Sequence, residues 1–248
     1  GAGKTVIANI LSGYYGKTAG EIRVKGRPVD LQSPRDGLRH GIAMVHQELM
    51  LVPAFTIAQN VMIGLQTSSF SFPLRKVEKR IGELSARYQL KVDPRARVED
   101  LSAGEQQRAE ILKVLFHEPE VLLLDEPTSL LTPDEADHLF VVLRAMAQEG
   151  KGIVFITHKM GEVFAVSDRV TVLKLGKTQG TQPITDTNEQ ELTRKTFGET
   201  VPEYMERPPV RTDDKAIEII NLVPQSMKNK EPGLGLSFEI RKGEILGF

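Results

Sequence analysis

Gly1-Ala2-Gly3-Lys4-Thr5 opens the chain, and the run Val6-Ile7-Ala8-Asn9-Ile10-Leu11 follows at once. The five residues read as the last five positions of a G-x-x-x-x-G-K-[ST] phosphate-binding loop. In such a loop successive backbone N–H groups curl around phosphate oxygens, so side chains must be absent where the backbone approaches. Gly1, Ala2 and Gly3 then supply the cradle, Lys4 reaches the β- and γ-phosphates, and the Thr5 hydroxyl ligates Mg²⁺. A helix from Lys4 to about Leu11 adds the positive end of its dipole. Taken alone, the pentapeptide has a second reading as a glycine-rich N-terminal scar. A phosphate loop also needs a strand in front of it, so the chain is expected to be a fragment.

Composition narrows the classes. The 248 residues suffice for one large domain, or one domain and part of another, and 40% hydrophobic residues suffice for a buried core. The formal net charge of −1 argues against a broad basic surface for nucleic acid. With no cysteine there is no disulfide, thiol nucleophile or cysteine metal site. No apolar run approaches the ~18 residues of a spanning helix.

Strand and helix patterns alternate along the chain. Glu21 to Lys25 alternates and turns at Gly26, and Ile42 to Val45 is a short buried strand. Phe55 to Leu65, Leu74 to Leu90 and Ser102 to Phe116 read as helices. Val121-Leu122-Leu123-Leu124-Asp125 is a continuous apolar strand, as expected for a central parallel strand covered on both faces. Pro133 to Gln148, Lys159 to Val166 and Asn188 to Phe197 are helical, while Gly152 to Ile156 and Arg169 to Leu173 are strands. The alternation predicts an α/β fold with a mostly parallel central sheet. Residues 207–214 form a polar, proline-broken linker between a domain over 1–206 and a second segment, 215–248.

Five further motifs follow the loop in order. Val45-His46-Gln47-Glu48 puts a glutamine at a strand end. Leu101-Ser102-Ala103-Gly104-Glu105-Gln106-Gln107-Arg108 opens a helix. Leu123-Leu124-Asp125-Glu126-Pro127 ends a buried strand with two acids, Ser129-Leu130-Leu131-Thr132 follows, and Ile156-Thr157-His158 ends the next strand. Each has a bland counterpart: a solvated glutamine, a turn, a structural histidine. The ordered set resembles the nucleotide-binding domain of an ATP-binding cassette (ABC) protein over residues 1 to about 200. The resemblance implies a P-loop NTPase cassette with a helical signature subdomain, binding ATP and Mg²⁺. It implies that Lys4 and Thr5 hold phosphate and metal, that Asp125 holds Mg²⁺, and that Glu126 polarises the attacking water. Gln47 then senses metal and water, and His158 contacts the γ-phosphate. Phosphoryl transfer needs these parts, since it depends on charge neutralisation and an in-line water.

The helix at Ser102 can be derived further. Ser102 and Glu105 form an S-x-x-E capping box, and Gly104 lets a ligand approach the backbone. The resemblance implies that Ser102, Gly104 and Glu105 bind the ATP held by an opposite domain. Here the family's L-S-G-G-Q is Leu-Ser-Ala-Gly-Glu. Glu105 brings a negative charge near a triphosphate, unless the capping box holds it away. Thr132 stands where many relatives have aspartate, and Thr132-Pro133-Asp134-Glu135 is itself a strong helix start.

After Lys215 the chain resembles the start of a second cassette, with Leu236 to Phe248 leading toward another phosphate loop and three strands over 216–222, 235–240 and 244–248. Tandem cassettes resemble the ATP-hydrolysing subunits of nucleoside and sugar importers, in texture most like the nucleoside branch linked to basic membrane lipoproteins. That resemblance implies integral-membrane permease partners, an extracytoplasmic solute-binding protein acting indirectly, a second ABC domain in the same chain, no nucleic acid, and a peripheral place on the cytoplasmic face of the membrane. The segment from Gln47 to Leu65, with Met50, Leu51, Val52, Phe55 and Met62, is then a docking groove for a permease helix; its alternative is an internal core. A soluble tandem ABC ATPase acting on the ribosome is the alternative function, and would need a long basic linker. The composite site also implies that an isolated monomer of this stretch hydrolyses ATP negligibly.

Overall fold

In the computed structural model, described over residues 2–65, 74–197, 214–223, 235–242, 244 and 246, the chain divides into two compact units, Gly1–Thr200 and Val201–Phe248. The first begins with α1 (Lys4–Leu11), entered through Gly3 at φ 93°, a left-handed conformation natural only to glycine. The strands β1 (Ile22–Val24) and β2 (Arg27–Val29) pair antiparallel across Lys25-Gly26, where both residues have positive φ, as a tight hairpin turn requires. Then come α2 (Pro34–Arg39), β3 (Ile42–Val45), α3 (Ile57–Ile63), α4 (Leu74–Arg87), α5 (Ala103–Leu115) and β4 (Val121–Asp125). The unit continues through α6 (Pro133–Gln148), β5 (Gly152–Ile156), α7 (Met160–Val166), the hairpin β6 (Arg169–Lys174) with β7 (Lys177–Pro183), and α8 (Glu189–Phe197).

The central sheet is parallel, in the order β3-β4-β5, with Val45 opposite Leu124 and Asp125 opposite Ile156. Strand periodicity sorts its side chains onto two faces. Ala43, Val45, Leu122 and Leu124 enter a large core with Ile57, Ile81, Ile111, Leu112, Leu143 and Met146 of the surrounding helices. Ile42, Met44, Leu123 and Ile156 enter a smaller core with Ala8 of α1. The continuous apolar run 121–124 is thus explained, because β4 is central and covered on both sides. Leu122, Leu123 and Leu124 are essentially inaccessible, and each contributes about 1.5–3 kcal/mol of burial. By the same alternation Asp125 lies on the α1 face of the sheet. Helices α3, α4 and α5 pack on one another as the helical subdomain.

Element ends shift where caps decide them. α3 starts at Ile57 rather than Phe55 because Thr56 and Gln59 form a reciprocal capping box. α4 stops at Arg87, before Gln89 and Lys91 turn left-handed. In the second unit β8 (Lys215–Leu222) and β9 (Leu236–Arg241) pair antiparallel. Most of the expected linker, and most of the expected strand over 244–248, lie outside the described residues.

Candidate functional site at the edge of the parallel sheet

The three parallel strands release their chains at one edge. Gln47 follows β3 by two residues, Asp125 ends β4 with Glu126 next to it, and His158 follows β5 by two. Register therefore gathers residues that are far apart in sequence. Helix α1 packs against β4 on the Asp125 face. The loop before it is held by a Gly176 N–H donating to the Ala2 carbonyl at 3.2 Å. Lys4 is half-buried and Thr5 exposed. Gly1 lies outside the described residues.

Asp125 is 1% exposed, and both of its carboxylate oxygens lack a hydrogen-bond partner. A buried carboxylate without donors is costly unless a cation or donor joins it. Its chemistry fits a hard cation. Among the described residues no three His, Cys, Asp or Glu side chains form a metal cage. Mg²⁺ fits such a setting, since it keeps waters and takes few carboxylates alongside substrate phosphates.

Glu126 has φ 47°, unusual for a non-glycine residue. Its N–H donates to the Ile156 carbonyl at 2.8 Å, which fastens it to the end of β5. Its carboxylate Oε1 lies 3.0 Å from His158 Nδ1, so two sequence-predicted residues meet directly. The Glu126 side chain is 21% exposed and that of His158 62%, so the pair faces open space. Gln47 is exposed, with no hydrogen bond recorded to either of them.

The two loops are also joined behind this pair, which the motifs did not reveal. Glu162, in the first turn of α7, accepts from the Thr128 hydroxyl at 2.7 Å and from the Thr157 hydroxyl at 2.9 Å. Lys159 pairs with the same carboxylate at 3.0 Å. The sequence signal was present: an acid four residues after His158, at the start of a helix.

Ser102, Gly104 and Glu105 sit elsewhere, at the start of α5. No hydrogen bond or ion pair among the described residues joins them to Gln47, Glu126 or His158. Glu105 Oε2 accepts from the Ser102 N–H at 2.9 Å and its hydroxyl at 2.8 Å, so its carboxylate is engaged by its own cap. The Ser102 backbone N–H bond, then the hydroxyl, holds the Glu105 carboxyl below its ordinary range. Gly104 has a second reason to be glycine. A Cβ there would fall 2.0 Å from Glu135 Oε1. Glu135 closes the capping box of α6 with Thr132 and pairs with Arg108 at 3.1 Å. The backbone that was expected to be open to a ligand at 104 is covered on its Cα side by this carboxylate.

Between the sheet and the helical subdomain lies a cavity of about 310 Å³, lined among others by Met44, His46, Met50, Val52, Ile63 and Glu110. Met50, Val52, Phe55 and Ile63 are exposed, whereas Leu51 and Met62 pack on the large core. Asn60, 4% exposed, shapes the rim: Oδ1 accepts from the Val52 N–H at 2.7 Å, and Nδ2 donates to the Val52 carbonyl at 3.1 Å. Lys113 donates to the Met50 carbonyl at 2.6 Å and pairs with Glu110 at 2.9 Å. Desolvation lowers the proton affinity of His46 and raises that of Glu110, the latter against the opposing charge of Lys113.

A parallel sheet that delivers Gln47, Asp125, Glu126 and His158 to one edge, with a helix opened by Gly-Lys-Thr packed on its Asp125 face, defines a nucleotide-binding cassette by its fold. The family model described as ABC transporter matches residues 1–129, and the chain belongs to that family. The nucleoside import ATP-binding protein NupA of Lactococcus lactis subsp. cremoris is 41% identical over 248 residues, covering 100% of this chain and 49% of that protein. A putative ribose/galactose/methyl galactoside import ATP-binding protein of Ralstonia nicotianae is 37% identical, covering 100% of this chain and 47% of its own length. The chain spans about half the length of the curated relatives it matches. Among solved structures, the dimeric post-hydrolysis state of the ATP-binding cassette MJ0796 bound to ADP and Pi has a TM-score of 0.63 at 23% identity, covering 74% of this chain and 81% of that one. It shares the α/β cassette fold. Neither curated relative supports the ribosome-acting alternative.

Proposed function

We propose that this chain binds and hydrolyses ATP to power solute import, of nucleosides or sugars, by an ABC transporter. The observation that carries this reading is the Glu126–His158 contact beside the buried, unpartnered Asp125, on a sheet whose Asp125 face is covered by α1. The names of the two relatives support the importer class, and the 41% identity to a nucleoside importer favours nucleosides.

The chemistry follows from the groups in place. Backbone N–H groups of Ala2 and Gly3, with Lys4, bind the phosphates at the start of α1. Thr5, Gln47 and Asp125 hold Mg²⁺, which when bound neutralises phosphate charge and fixes the phosphate chain. Glu126 orients the attacking water and takes its proton: Oε1 is engaged by His158, leaving Oε2 for the water. His158, anchored through Nδ1, contacts the γ-phosphate through its other ring nitrogen. Ser102 and Gly104, which among the described residues make no hydrogen bond to this edge, serve the nucleotide of a facing cassette, and residues 215–248 belong to the start of a second cassette in the same chain. Met50, Val52, Phe55 and Ile63 receive a cytoplasmic helix of the permease, which places the subunit on the inner face of the membrane. No described helix is long and apolar enough to cross a membrane.

The test is Glu126→Gln in the intact protein with its permease. ATP binding should persist while turnover at this site falls at least ~10²-fold, the scale of a lost general base. Site-resolved single-turnover kinetics at the wild-type rate would overturn the proposal.

A further inference from the structure

We propose that Glu162 is a positioning residue for hydrolysis: it clamps the loop after β4 to the loop after β5, and so holds Glu126 and His158 at hydrogen-bonding distance. The inference rests on the ATP-hydrolysis reading and assigns a new residue to that site.

The contacts close a ring. From Glu126 the chain runs through Pro127 to Thr128, whose hydroxyl donates to Glu162 Oε1 at 2.7 Å. Glu162 Oε2 accepts from the Thr157 hydroxyl at 2.9 Å. Thr157 precedes His158, whose Nδ1 returns to Glu126 at 3.0 Å. The Thr157 hydroxyl also accepts from the Lys159 N–H at 3.1 Å, which fixes the turn around His158 from its other side. Each carboxylate oxygen thus serves one loop, and Lys159 balances the charge at 3.0 Å. The Glu162 side chain is only 12% exposed and Thr128 2% exposed, so water cannot readily replace these bonds.

The site needs such a brace. Glu126 holds a positive φ, a conformation that persists in a non-glycine residue only when its surroundings over-determine it. Its own N–H bond to Ile156 secures one end of the residue. Thr128, two residues on, is the next point at which the loop is tied to the β5 side: its hydroxyl donates to Glu162, and Lys159 Nζ, itself paired with Glu162, donates to the Thr128 carbonyl at 3.4 Å. The His158 side chain is largely exposed, so its position depends on Glu126 and on the backbone that Thr157 anchors. Without Glu162 the loops after β4 and β5 lose the carboxylate that joins the two threonine hydroxyls and fixes Lys159. Among the described residues this leaves only the long Lys159–Thr128 bonds and the Glu126–His158 contact itself as side-chain ties, while α1 and its phosphate loop keep all of theirs. Nucleotide binding and hydrolysis should therefore separate.

The experiment compares Glu162→Ala, Glu162→Gln, Thr128→Val and Glu126→Gln in the intact protein with its permease, measuring kcat, KM for ATP and nucleotide affinity. A displacement near 1 Å at a reacting group costs up to about a hundredfold. Glu162→Ala should lower kcat about tenfold to a hundredfold and leave KM and affinity within about twofold. Glu162→Gln, whose amide bonds both threonine hydroxyls, should recover most of that loss. Thr128→Val, which keeps the shape and removes one tie, should reproduce part of it. In a Glu126→Gln background Glu162→Ala should cost clearly less than it does alone, since part of its effect passes through Glu126. Wild-type kcat in Glu162→Ala overturns the clamp, as does a loss that Gln fails to recover, or a fall in affinity parallel to kcat. If Glu126→Gln itself turns over normally, it is the hydrolysis reading that fails.

Discussion

Gly104→Ala separates two reasons for a glycine at the start of α5. If glycine were needed only for ligand approach, the unliganded protein should tolerate alanine well. Alanine is the better helix former by up to about 1 kcal/mol, so the substitution should be neutral or stabilising. The structure predicts the opposite sign. The new Cβ would lie 2.0 Å from Glu135 Oε1 and 2.6 Å from its Cδ. The carboxylate is the end of a flexible side chain, so it swings away instead of forcing the backbones apart. In leaving, it gives up the Thr132 N–H at 3.1 Å and the Thr132 hydroxyl at 3.2 Å, part of a cap worth about 0.5–2 kcal/mol. It also gives up Arg108, a partly exposed pair worth about 0.2–1 kcal/mol. Offset by the alanine propensity, the net loss is about 1 kcal/mol, or roughly 2–4 °C in a unit of this size. Thermal unfolding of the intact protein without nucleotide measures it. In a Glu135→Ala background the clash is gone and Gly104→Ala should become neutral or stabilising. An equal effect in both backgrounds, or a stabilised single variant, would refute the reasoning.

Other expectations are accessible to simpler measurements. Leu124→Ala, at a fully buried position in the central strand, should cost about 2–5 kcal/mol in denaturant unfolding. Asn60→Ala strips the Val52 N–H and carbonyl of their side-chain partners and should cost about 1–3 kcal/mol, with altered proteolysis in the 50–56 segment as a local check. Phe55→Asp, at an exposed position, should leave nucleotide affinity unchanged and abolish permease co-purification; Leu51 is unsuitable for this test because it packs on the core. The Glu105 and Glu135 carboxyls are held below their ordinary range, first by the backbone N–H of Ser102 and of Thr132. Both are acids lowered on folding, so their contribution is present above about pH 4.5 and is lost as pH falls through the lowered folded values. An acid titration of stability should therefore lose part of its slope below pH 4.5 in Glu105→Gln, and a slope equal to wild type would refute the assignment.

Local rules carried much of this protein. The capping boxes at Ser102 and Thr132 follow from residues three apart, and both form as written. The strand at 121–125 was legible because an unbroken apolar run bounded by turns has few other homes. Helix α2 was not legible, since six residues with an internal glycine show no period. Strand β7 was missed for a related reason: Lys177 to Pro183 is nearly all polar and exposed, and is a strand only because β6 pairs with it.

The sequence by itself determined which chemical groups stand at the candidate site, because a motif is a choice of side chains at short range. It placed Gln47, Asp125, Glu126 and His158 at strand ends, and α/β alternation implied a parallel sheet that brings strand ends together. Tertiary structure decided how those groups meet. Only packing shows that Glu126 and His158 are in contact, that Asp125 is buried without a partner on the α1 face, and that Glu162 joins Thr128, 34 residues before it, to Thr157, five residues before it. Gly104 makes the same point: its neighbour Glu135 lies 31 positions away, and the constraint appears only when two helix starts are packed together. Short-range pattern names the groups because the covalent chain enforces it; distance, burial and pairing depend on the whole fold, where many weak contacts settle a geometry that no local stretch contains.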